Sequence, residues 1–297
     1  MNIPVISIII ATYNWSTALK LAIQSALEQT YADFEIIVIG DHCTDDSEEA
    51  VKSFNDKRIS WVNLAENSGS QSIPNNKGIL LSRGKYIAYL GQDDIWHPSH
   101  LDHLINYLEK AEADYACSLC LMIGPDNEET IHKDKLIITG FSPHTILPPS
   151  SLLVKKSVYD EIGLWQDFKT IHLPPDQDLQ KKMLGKKFIC SEQLTCFNFN
   201  SAWRLNSYRL KPIHQQENYL KKMINENDFI KKEVEALLKS EQFKNFNYST
   251  SATLKEISEY VHMHPEILYP LESINDSSSL GLSVKRSRIY RGLEVIK

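Results

Sequence analysis

The chain has 297 residues, a formal net charge of −6, 42% hydrophobic residues and 24% charged residues. Its length allows one large domain or one domain with an extension. Its acidic balance argues against a nucleic-acid-binding protein that works through a basic surface. No stretch approaches the roughly 20 apolar residues of a membrane span, and five cysteines without framework spacing favour a reducing compartment. We expect a cytoplasmic protein; peripheral contact with the inner face of the membrane and an oligomeric state are left open.

Strand and helix patterns alternate through the first sixty residues. Residues 5–11 are an almost unbroken β-branched run, which is typical of a strand covered on both faces. Apolar residues at helical spacing follow this run, and two more apolar runs come after them. This alternation predicts a parallel sheet with right-handed crossovers. The predicted elements are strands at 5–11, 34–39 and 59–64 and helices at 17–29 and 47–54.

The alternation continues, with more interruption, to about residue 205. Residues 124–149 are polar and predict irregular structure. Beyond residue 205 the chain becomes charged and helix-periodic, so we predict an α/β domain at residues 1–205 and a helical extension at residues 206–297. The further predicted elements are strands at 86–90 and 115–123 and from 150 and 187 onward, and helices at 74–81, 98–110, 157–162, 178–184 and 213–239.

Carboxylates stand at three places where the pattern predicts an exposed end of the sheet. Asp41 follows the second strand, Asp93 and Asp94 follow the buried run YIAYLG, and Asp176 and Asp178 come later. The chain has neither GxGxxG nor GxxxxGK[ST], the glycine-rich loops that hold phosphates in many nucleotide-binding proteins. Carboxylates repel phosphate unless a metal ion bridges the two. The pattern therefore predicts a divalent-cation site, with helix-capping aspartates as the alternative.

Four segments in a fixed order extend this interpretation: ISIIIATYNW, EIIVIGDHCTDDS, NNKGILLSRGKYIAYLGQDDIWHP and PPDQDL. Together they resemble the motifs of family 2 glycosyltransferases over about residues 3–200. The resemblance implies the GT-A fold, a Rossmann-like, mostly parallel sheet flanked by helices. It also implies an inverting, metal-dependent enzyme that moves a sugar from a nucleoside-diphosphate sugar, with a UDP-sugar favoured, to a glycan, lipid-linked or protein acceptor. Residues 1–205 would then bind the donor, and residues 206–297 would lie on the acceptor side or make membrane or oligomer contacts.

Residue by residue, the resemblance assigns nucleotide binding to five positions. It assigns Ala11, Thr12 and Tyr13 to the turn that holds the nucleotide, with the Tyr13 ring able to stack on the base. Asp41 would accept the imide N–H of the base. Asp93 would approach the ribose or the water molecules of the metal ion.

The resemblance also implies one metal ligand and one general base. Asp94 would coordinate Mn²⁺ or Mg²⁺ bound to the donor diphosphate. Asp176 occupies the position of the general base, and Asp178 is the alternative. Inverting transfer requires both functions, because the acceptor hydroxyl must lose its proton while the leaving diphosphate gains negative charge.

Four positions depart from the residues that are usual in the family. Gly40 and Gln92 stand where aspartates are common, Asn75 stands where arginine is common, and Pro175 stands where glutamate is common. These departures leave open a catalytically degenerate protein that binds a nucleotide sugar without transferring it. A nucleotidyltransferase is the second alternative, but it would need a glycine-rich, basic loop after the first strand, and ATYNWST is neither.

Five further features have both a functional and an ordinary structural interpretation. His172 is a candidate for acceptor contact and His214 for a late metal ligand, although isolated loop histidines are usually solvated. Trp165 and Trp203 are candidates for the floor of a sugar site, with core packing as the alternative. The basic segment 285–291, KRSRIYR, could face anionic lipid or a diphosphate-lipid acceptor, and its default interpretation is a solvated helix face.

Overall fold

The structure is a computed structural model. It describes residues 3–125, 136–201, 204–239, 243, 257, 260–261, 263 and 282–293. No helix within these ranges is long and apolar enough to cross a membrane. The location in the cytoplasm and the contact with a membrane surface stay predictions.

The described strands form one sheet, and the described helices cover both of its faces. The strands are β1 (Ile6–Thr12), β2 (Phe34–Gly40), β3 (Ile59–Asn63), β4 (Tyr86–Tyr89), β5 (Ile95–Trp96), β6 (Tyr115–Ile123), β7 (Leu136–Thr139), β8 (Leu152–Lys155) and β9 (Phe188–Asn198). The helices are α1 (Ser16–Leu27), α2 (Ser47–Lys52), α3 (Ser72–Leu81), α4 (His100–Lys110), α5 (Val158–Ile162), α6 (Pro175–Met183), α7 (Ser207–Leu210), α8 (His214–Asn225), α9 (Phe229–Leu237) and α10 (Leu282–Tyr290).

The amino-terminal half of the sheet is parallel, as its hydrophobic pattern predicts. β1 pairs in parallel with both β2 and β4, and β2 pairs in parallel with β3. Every residue of β2 is buried, because helices cover both faces of these strands. Parallel pairing brings the carboxyl ends of β1, β2 and β4 to one edge, where open α/β sheets bind ligands. The predicted α/β fold is confirmed in this half.

The second half of the sheet makes it mixed. β8 pairs antiparallel with both β4 and β6, and β7 pairs antiparallel with β6. β6 and β9 are parallel. The prediction that residues 124–149 are irregular is wrong for β7, whose four residues LIIT pair with β6. A run this short, preceded by the charged residues HKDK, has no length from which alternation is recognisable.

The helices after residue 205 share a core with the sheet. Phe229 and Leu237 pack in one buried cluster with Phe197 and Phe199 at the end of β9. The predicted long helix at 213–239 is two helices, α8 and α9, separated by residues 226–228. The described residues after 205 are thus mainly helical, and the division of the chain into two domains at residue 205 stays a prediction.

Candidate active site

One cavity of about 930 Å³ opens at the carboxyl edge of the parallel strands. This volume lies in the range of small-molecule binding sites. The seven residues that the family resemblance assigns to nucleotide, metal and base function all line it: Ala11, Thr12, Tyr13, Asp41, Asp93, Asp94 and Asp176. The structure therefore brings together seven positions that are spread over 166 residues of sequence.

The turn after β1 is held open by Asn14. Its φ angle is +46°, in the left-handed region that asparagine tolerates better than most residues. The Asn14 Oδ1 accepts the N–H groups of Thr44 at 2.7 Å and Asp45 at 3.3 Å, which ties the turn to the loop after β2. Ala11, Thr12 and Tyr13, which directly precede this anchored residue, line the cavity.

Asp41 is fixed by the loop that precedes α3. Its carboxylate accepts the N–H of Ser68 at 2.8 Å and the N–H of Gly69 at 3.1 Å, while the side chain of Asn67 donates to its backbone carbonyl. Burial raises the pKa of Asp41, although these N–H donors and the nearby charge of Arg288 oppose that rise. A carboxylate that is hydrogen-bonded to two backbone amides has a fixed orientation and can accept one more donor, such as a base N–H.

Gly40 departs from the usual aspartate for a steric reason. A Cβ at this position would lie 2.6 Å from the Asn63 Oδ1 and 2.7 Å from the Trp61 ring. Side chains of β3 fill the space that a longer side chain would need. Asn63 is held there because it accepts the N–H of Cys43 and donates to the Cys43 carbonyl. The departure therefore reflects local packing and leaves the neighbouring Asp41 in the cavity.

Gln92 uses both ends of its amide to connect two sides of the cavity. Its Oε1 accepts the Thr12 hydroxyl at 2.6 Å and the Tyr13 N–H at 3.0 Å. Its Nε2 donates to the Tyr208 hydroxyl at 2.7 Å. An aspartate is shorter and has no N–H to donate, so glutamine is suited to this bridge.

Asp94 is buried at the end of β4 with both carboxylate oxygens engaged. The Asn198 amide lies 3.0 Å from each oxygen, the Phe199 N–H donates to Oδ1 at 3.1 Å, and the Ser150 hydroxyl donates to Oδ2. Burial raises the pKa of Asp94 to about 7, and the charge of Asp93 adds to that rise. A carboxylate offers about four lone-pair positions, and protein donors already approach them.

Asp93 is half-buried and is balanced by nearby donors and cations. Burial raises its pKa, while a hydrogen bond with Ser201 and the charges of Arg291 and Arg204 oppose the rise. Asp93 thus lines the cavity with the positive charges of Arg291 and Arg204 nearby.

The Asp93–Asp94 pair fits a divalent cation in donor chemistry. Mg²⁺ and similar ions are commonly held by one or two carboxylates, with phosphate oxygens and water completing the shell. Within the described ranges no group of three or more His, Cys, Asp or Glu side chains converges on a metal position. A cation at Asp94 would replace one of its hydrogen-bond donors, and the repulsion between the paired carboxylates favours that exchange.

Asp176 and Asp178 differ in what they face. Asp176 lies in the first turn of α6 and lines the cavity. Burial raises its pKa, partly offset by its own N–H and that of Gln177. Asp178 does not line the cavity and pairs with Lys182 at 3.0 Å. The geometry therefore favours Asp176 for contact with a bound acceptor.

The remaining sequence candidates lie away from the cavity or outside the described residues. His172 and His214 are exposed and do not line it. Trp165 is buried, donates to the Tyr89 hydroxyl at 3.0 Å and packs edge-on against that ring, so its core interpretation is confirmed. Trp203 lies outside the described residues.

The carboxyl-terminal helix α10 closes one side of the cavity, and sequence reasoning missed this role. Arg288 is only 5% exposed, so the default expectation of a solvated helix face is wrong for that residue. Arg286, Arg288 and Arg291 all line the cavity together with Asp41 and Asp93. The spacing of Arg288 and Arg291, which places them on one helix face, is the signal that was available in the sequence.

Comparison with known proteins identifies the class that this fold and cavity define. The profile of glycosyl transferase family 2 matches residues 7–179, more than half of the chain. The protein therefore belongs to glycosyl transferase family 2, as its motifs predict, and is a glycosyltransferase.

Its relatives include proteins of known and unknown activity. An uncharacterised glycosyltransferase RP339 of Rickettsia prowazekii (strain Madrid E) is 28% identical over 97% of this chain and 96% of its own length. The poly(ribitol-phosphate) beta-N-acetylglucosaminyltransferase TarP of Staphylococcus aureus (strain N315) is 34% identical over 37% of this chain and 34% of its own length. The UDP-Glc:alpha-D-GlcNAc-diphosphoundecaprenol beta-1,3-glucosyltransferase WfaP of Escherichia coli is 32% identical over 38% of this chain and 45% of its own length.

Solved structures confirm the GT-A type of fold. S. aureus TarS 1-349 in complex with UDP-GlcNAc superposes with a TM-score of 0.57 at 14% identity, covering 97% of this chain and 87% of that chain. The mannosyltransferase PcManGT of Pyrobaculum calidifontis, in complex with GDP-Man and Mn²⁺, superposes with a TM-score of 0.53 at 13% identity, covering 98% of this chain and 88% of that chain. At these identities the likeness concerns the fold.

Proposed function

We propose that this glycosyltransferase moves one sugar, with inversion, from a nucleoside-diphosphate sugar to a hydroxyl of a glycan, lipid-linked or protein acceptor. The observation that carries the proposal is the single cavity that contains the nucleotide turn, the Asp93–Asp94 pair and Asp176. A UDP-sugar is the favoured donor, since TarS has been solved with UDP-GlcNAc and the name of WfaP specifies UDP-Glc.

In the proposed reaction, an acceptor hydroxyl attacks the anomeric carbon from the side opposite the diphosphate. The new C–O bond forms as the bond from the anomeric carbon to the phosphate oxygen breaks, and the electron pair leaves with the nucleoside diphosphate. The acceptor proton passes to the Asp176 carboxylate, whose raised pKa makes it a better base than an ordinary aspartate. The names of TarP and WfaP specify β linkages, which inversion would produce from an α-linked donor.

The proposal assigns the donor's nucleotide to one side of the cavity. Tyr13 and Asp41 would contact the base, with Ala11 and Thr12 forming the turn around it. Asp94, with Asp93 toward the ribose, would hold Mn²⁺ or Mg²⁺. When bound there, such an ion supplies Lewis-acid charge that stabilises the leaving diphosphate.

The acceptor would enter along an apolar part of the cavity wall. Ile137 and Ile138 of β7, together with Ile146 and Pro148, line the cavity that also contains Asp176. An apolar wall suits the C–H faces of a sugar or the lipid-proximal part of a lipid-linked acceptor. A role in polysaccharide synthesis is consistent with this wall and with the names of the two relatives.

A donor panel with two matched variants tests the proposal. We expect one of UDP-Glc, UDP-GlcNAc, UDP-Gal or GDP-Man to be hydrolysed slowly in the presence of Mn²⁺, and Asp176→Asn to lower the rate by about 10²–10⁴-fold. Asp178→Asn is the control, because it removes the same charge two residues away, outside the cavity.

Two outcomes would count against the proposed enzyme. Binding of a nucleoside diphosphate without turnover of any donor would support the degenerate, binding-only alternative. Equal losses in the two variants would mean that Asp176 has no role beyond that of its neighbour.

A further inference from the structure

The carboxyl-terminal helix places two guanidinium groups in the cavity wall. Arg288 and Arg291 are three residues apart, so they lie on the same face of α10 and the turn that follows it. Both line the cavity with Tyr13, Asp41 and Asp93. The arginines therefore stand between the nucleotide side and the carboxylate pair, although they come from the far end of the chain.

The position of α10 is fixed by backbone contacts with residues near α7. The Asn206 N–H donates to the Tyr290 carbonyl at 2.8 Å, and the Tyr208 N–H donates to the Arg291 carbonyl at 3.1 Å. Tyr208 in turn binds Gln92 through its hydroxyl group. The arginines are thus connected to the end of β4, where the Asp pair begins, by a short chain of hydrogen bonds.

Arg288 is a buried cation that is hydrogen-bonded to the loop that precedes α3. Its Nη1 donates to the Gly69 carbonyl at 3.0 Å, and the Gly69 N–H binds Asp41. Burial lowers the pKa of Arg288, and the positive charge of Arg291 lowers it further. Two cations in an enclosed space repel each other. An anion that binds between them reduces this repulsion, so its binding is favourable.

Arg291 reaches the carboxylate side. Its guanidinium carbon lies 5.3 Å from the centre of the Tyr208 ring, and its Nη1 lies 3.4 Å from the Ser201 hydroxyl. Ser201 also binds Asp93, so Arg291 and Asp93 share this neighbour and attract each other. Stacking on the Tyr208 ring holds the planar guanidinium, and its Nε also donates to the Ser287 carbonyl at 3.4 Å. A guanidinium has five N–H groups, so donors remain beyond these two hydrogen bonds.

We propose that Arg288 and Arg291 form the anion subsite that binds the diphosphate of the nucleotide-sugar donor. The inference rests on the proposed function, because it identifies the part of the cavity that meets the phosphates. Guanidinium groups match phosphate oxygens with paired N–H donors, whereas Asp93 and Asp94 alone would repel them. The same charges oppose the negative charge that collects on the diphosphate when the sugar leaves.

Calorimetry with UDP and uridine tests the subsite directly. We expect Arg291→Gln and Arg288→Gln each to weaken UDP binding by about 10- to 100-fold, since each removes a charge-assisted hydrogen bond. Arg291→Gln should leave uridine binding unchanged, whereas Arg288 also contacts the loop that holds Asp41. Lys285→Gln is the control: it removes one charge from α10 at a residue that does not line the cavity. Arg291→Lys should recover part of the UDP affinity. All titrations are run with Mn²⁺ and again with EDTA.

The outcomes separate this proposal from the proposed function. If wild-type protein binds UDP and the two arginine variants lose no more affinity than Lys285→Gln, the subsite is refuted and the proposed function stands. Equal losses for UDP and uridine would also refute it, because α10 would then shape the cavity without binding phosphate. If wild-type protein binds neither UDP nor GDP under either condition, the proposed function itself fails. Because Arg288 is buried, a lower Tm in Arg288→Gln leaves Arg291→Gln as the deciding variant.

Discussion

Asp176 lies in the first turn of α6 with a pKa above the ordinary 3.8 of aspartate, because burial disfavours its charge. A general base must be ionised, so the rate should fall as pH drops through this raised pKa and reach a plateau above it. We predict an acid limb in the pH profile of kcat/KM that lies above the usual range of aspartate. The measurement is the profile of wild-type protein beside that of Asp176→Asn. An identical acid limb in both would assign it to another group.

Gly91 leaves the space in which the Asp94 carboxylate sits. A Cβ at this position would be 2.6 Å from the Asp94 Oδ2 and 3.4 Å from the Ser150 Oγ. We predict that Gly91→Ala displaces the carboxylate and lowers transfer by about 10²-fold, the cost of a misplacement of about 1 Å. Steady-state kinetics measure the loss, and an unchanged far-UV spectrum checks the fold. Retention of full activity would show that the carboxylate position is not critical.

The residues at the carboxyl edge were predictable because each follows a strand that periodicity alone identifies. The packing around them was not predictable. The sequence shows that Gln92 and Gly40 are unusual, but only the contacts with Tyr208 and Trp61 explain why these residues are suited to their positions. Such reasons depend on side chains that are distant in sequence, and no local pattern encodes them.

At the scale of elements, the contact between α3 and β1 positions the loop that grips Asp41. Gly78 permits this close approach, since a Cβ there would lie 2.5 Å from the Ile9 Cγ2. We predict that Gly78→Ala lowers the free energy of unfolding by about 1–3 kcal/mol through overpacking. Urea denaturation measures the change.

Gly185→Ala is the matched control for that prediction. A Cβ on Gly185 would meet nothing within 4 Å, and its φ angle is not in the left-handed region. We expect its free energy of unfolding to remain within about 0.5 kcal/mol of the wild-type value. A loss in the control as large as that in Gly78→Ala would remove the steric explanation.

The elements that sequence patterns predicted best are the parallel strands, whose apolar runs are long and bounded by turn residues. β7 was missed. For β9 the pattern predicted a start near residue 187 but no end, and the strand extends to Asn198. The polar residues Ser191, Glu192 and Gln193 interrupt the apolar pattern of β9, which bulges against β6 in this region. The role of α10 was missed for another reason: its charges predict solvent exposure, and only the fold reveals a cavity beneath them.

At the scale of the whole molecule, ligand binding should raise the thermal stability of the folded protein. A ligand that binds only the folded state at 100 times its Kd stabilises it by about 2.7 kcal/mol. We predict that UDP raises the Tm of the full chain and that deletion of residues 282–297 removes most of this rise. Differential scanning fluorimetry with UDP, and with uridine as the uncharged control, measures both. An equal rise in the shortened chain would exclude α10 from the binding site.

The wall formed by α10 also has a consequence for the order in which the protein matures. Strands β1 to β5 are made before α10, and this part of the chain already carries the turn after β1, Asp41 and the Asp93–Asp94 pair. Arg288 and Arg291 are added only after residues 95–287 have been made. A chain that has not yet reached residue 291 would thus expose acidic groups without these positive charges, and we expect it to bind a donor more weakly than the longer chain.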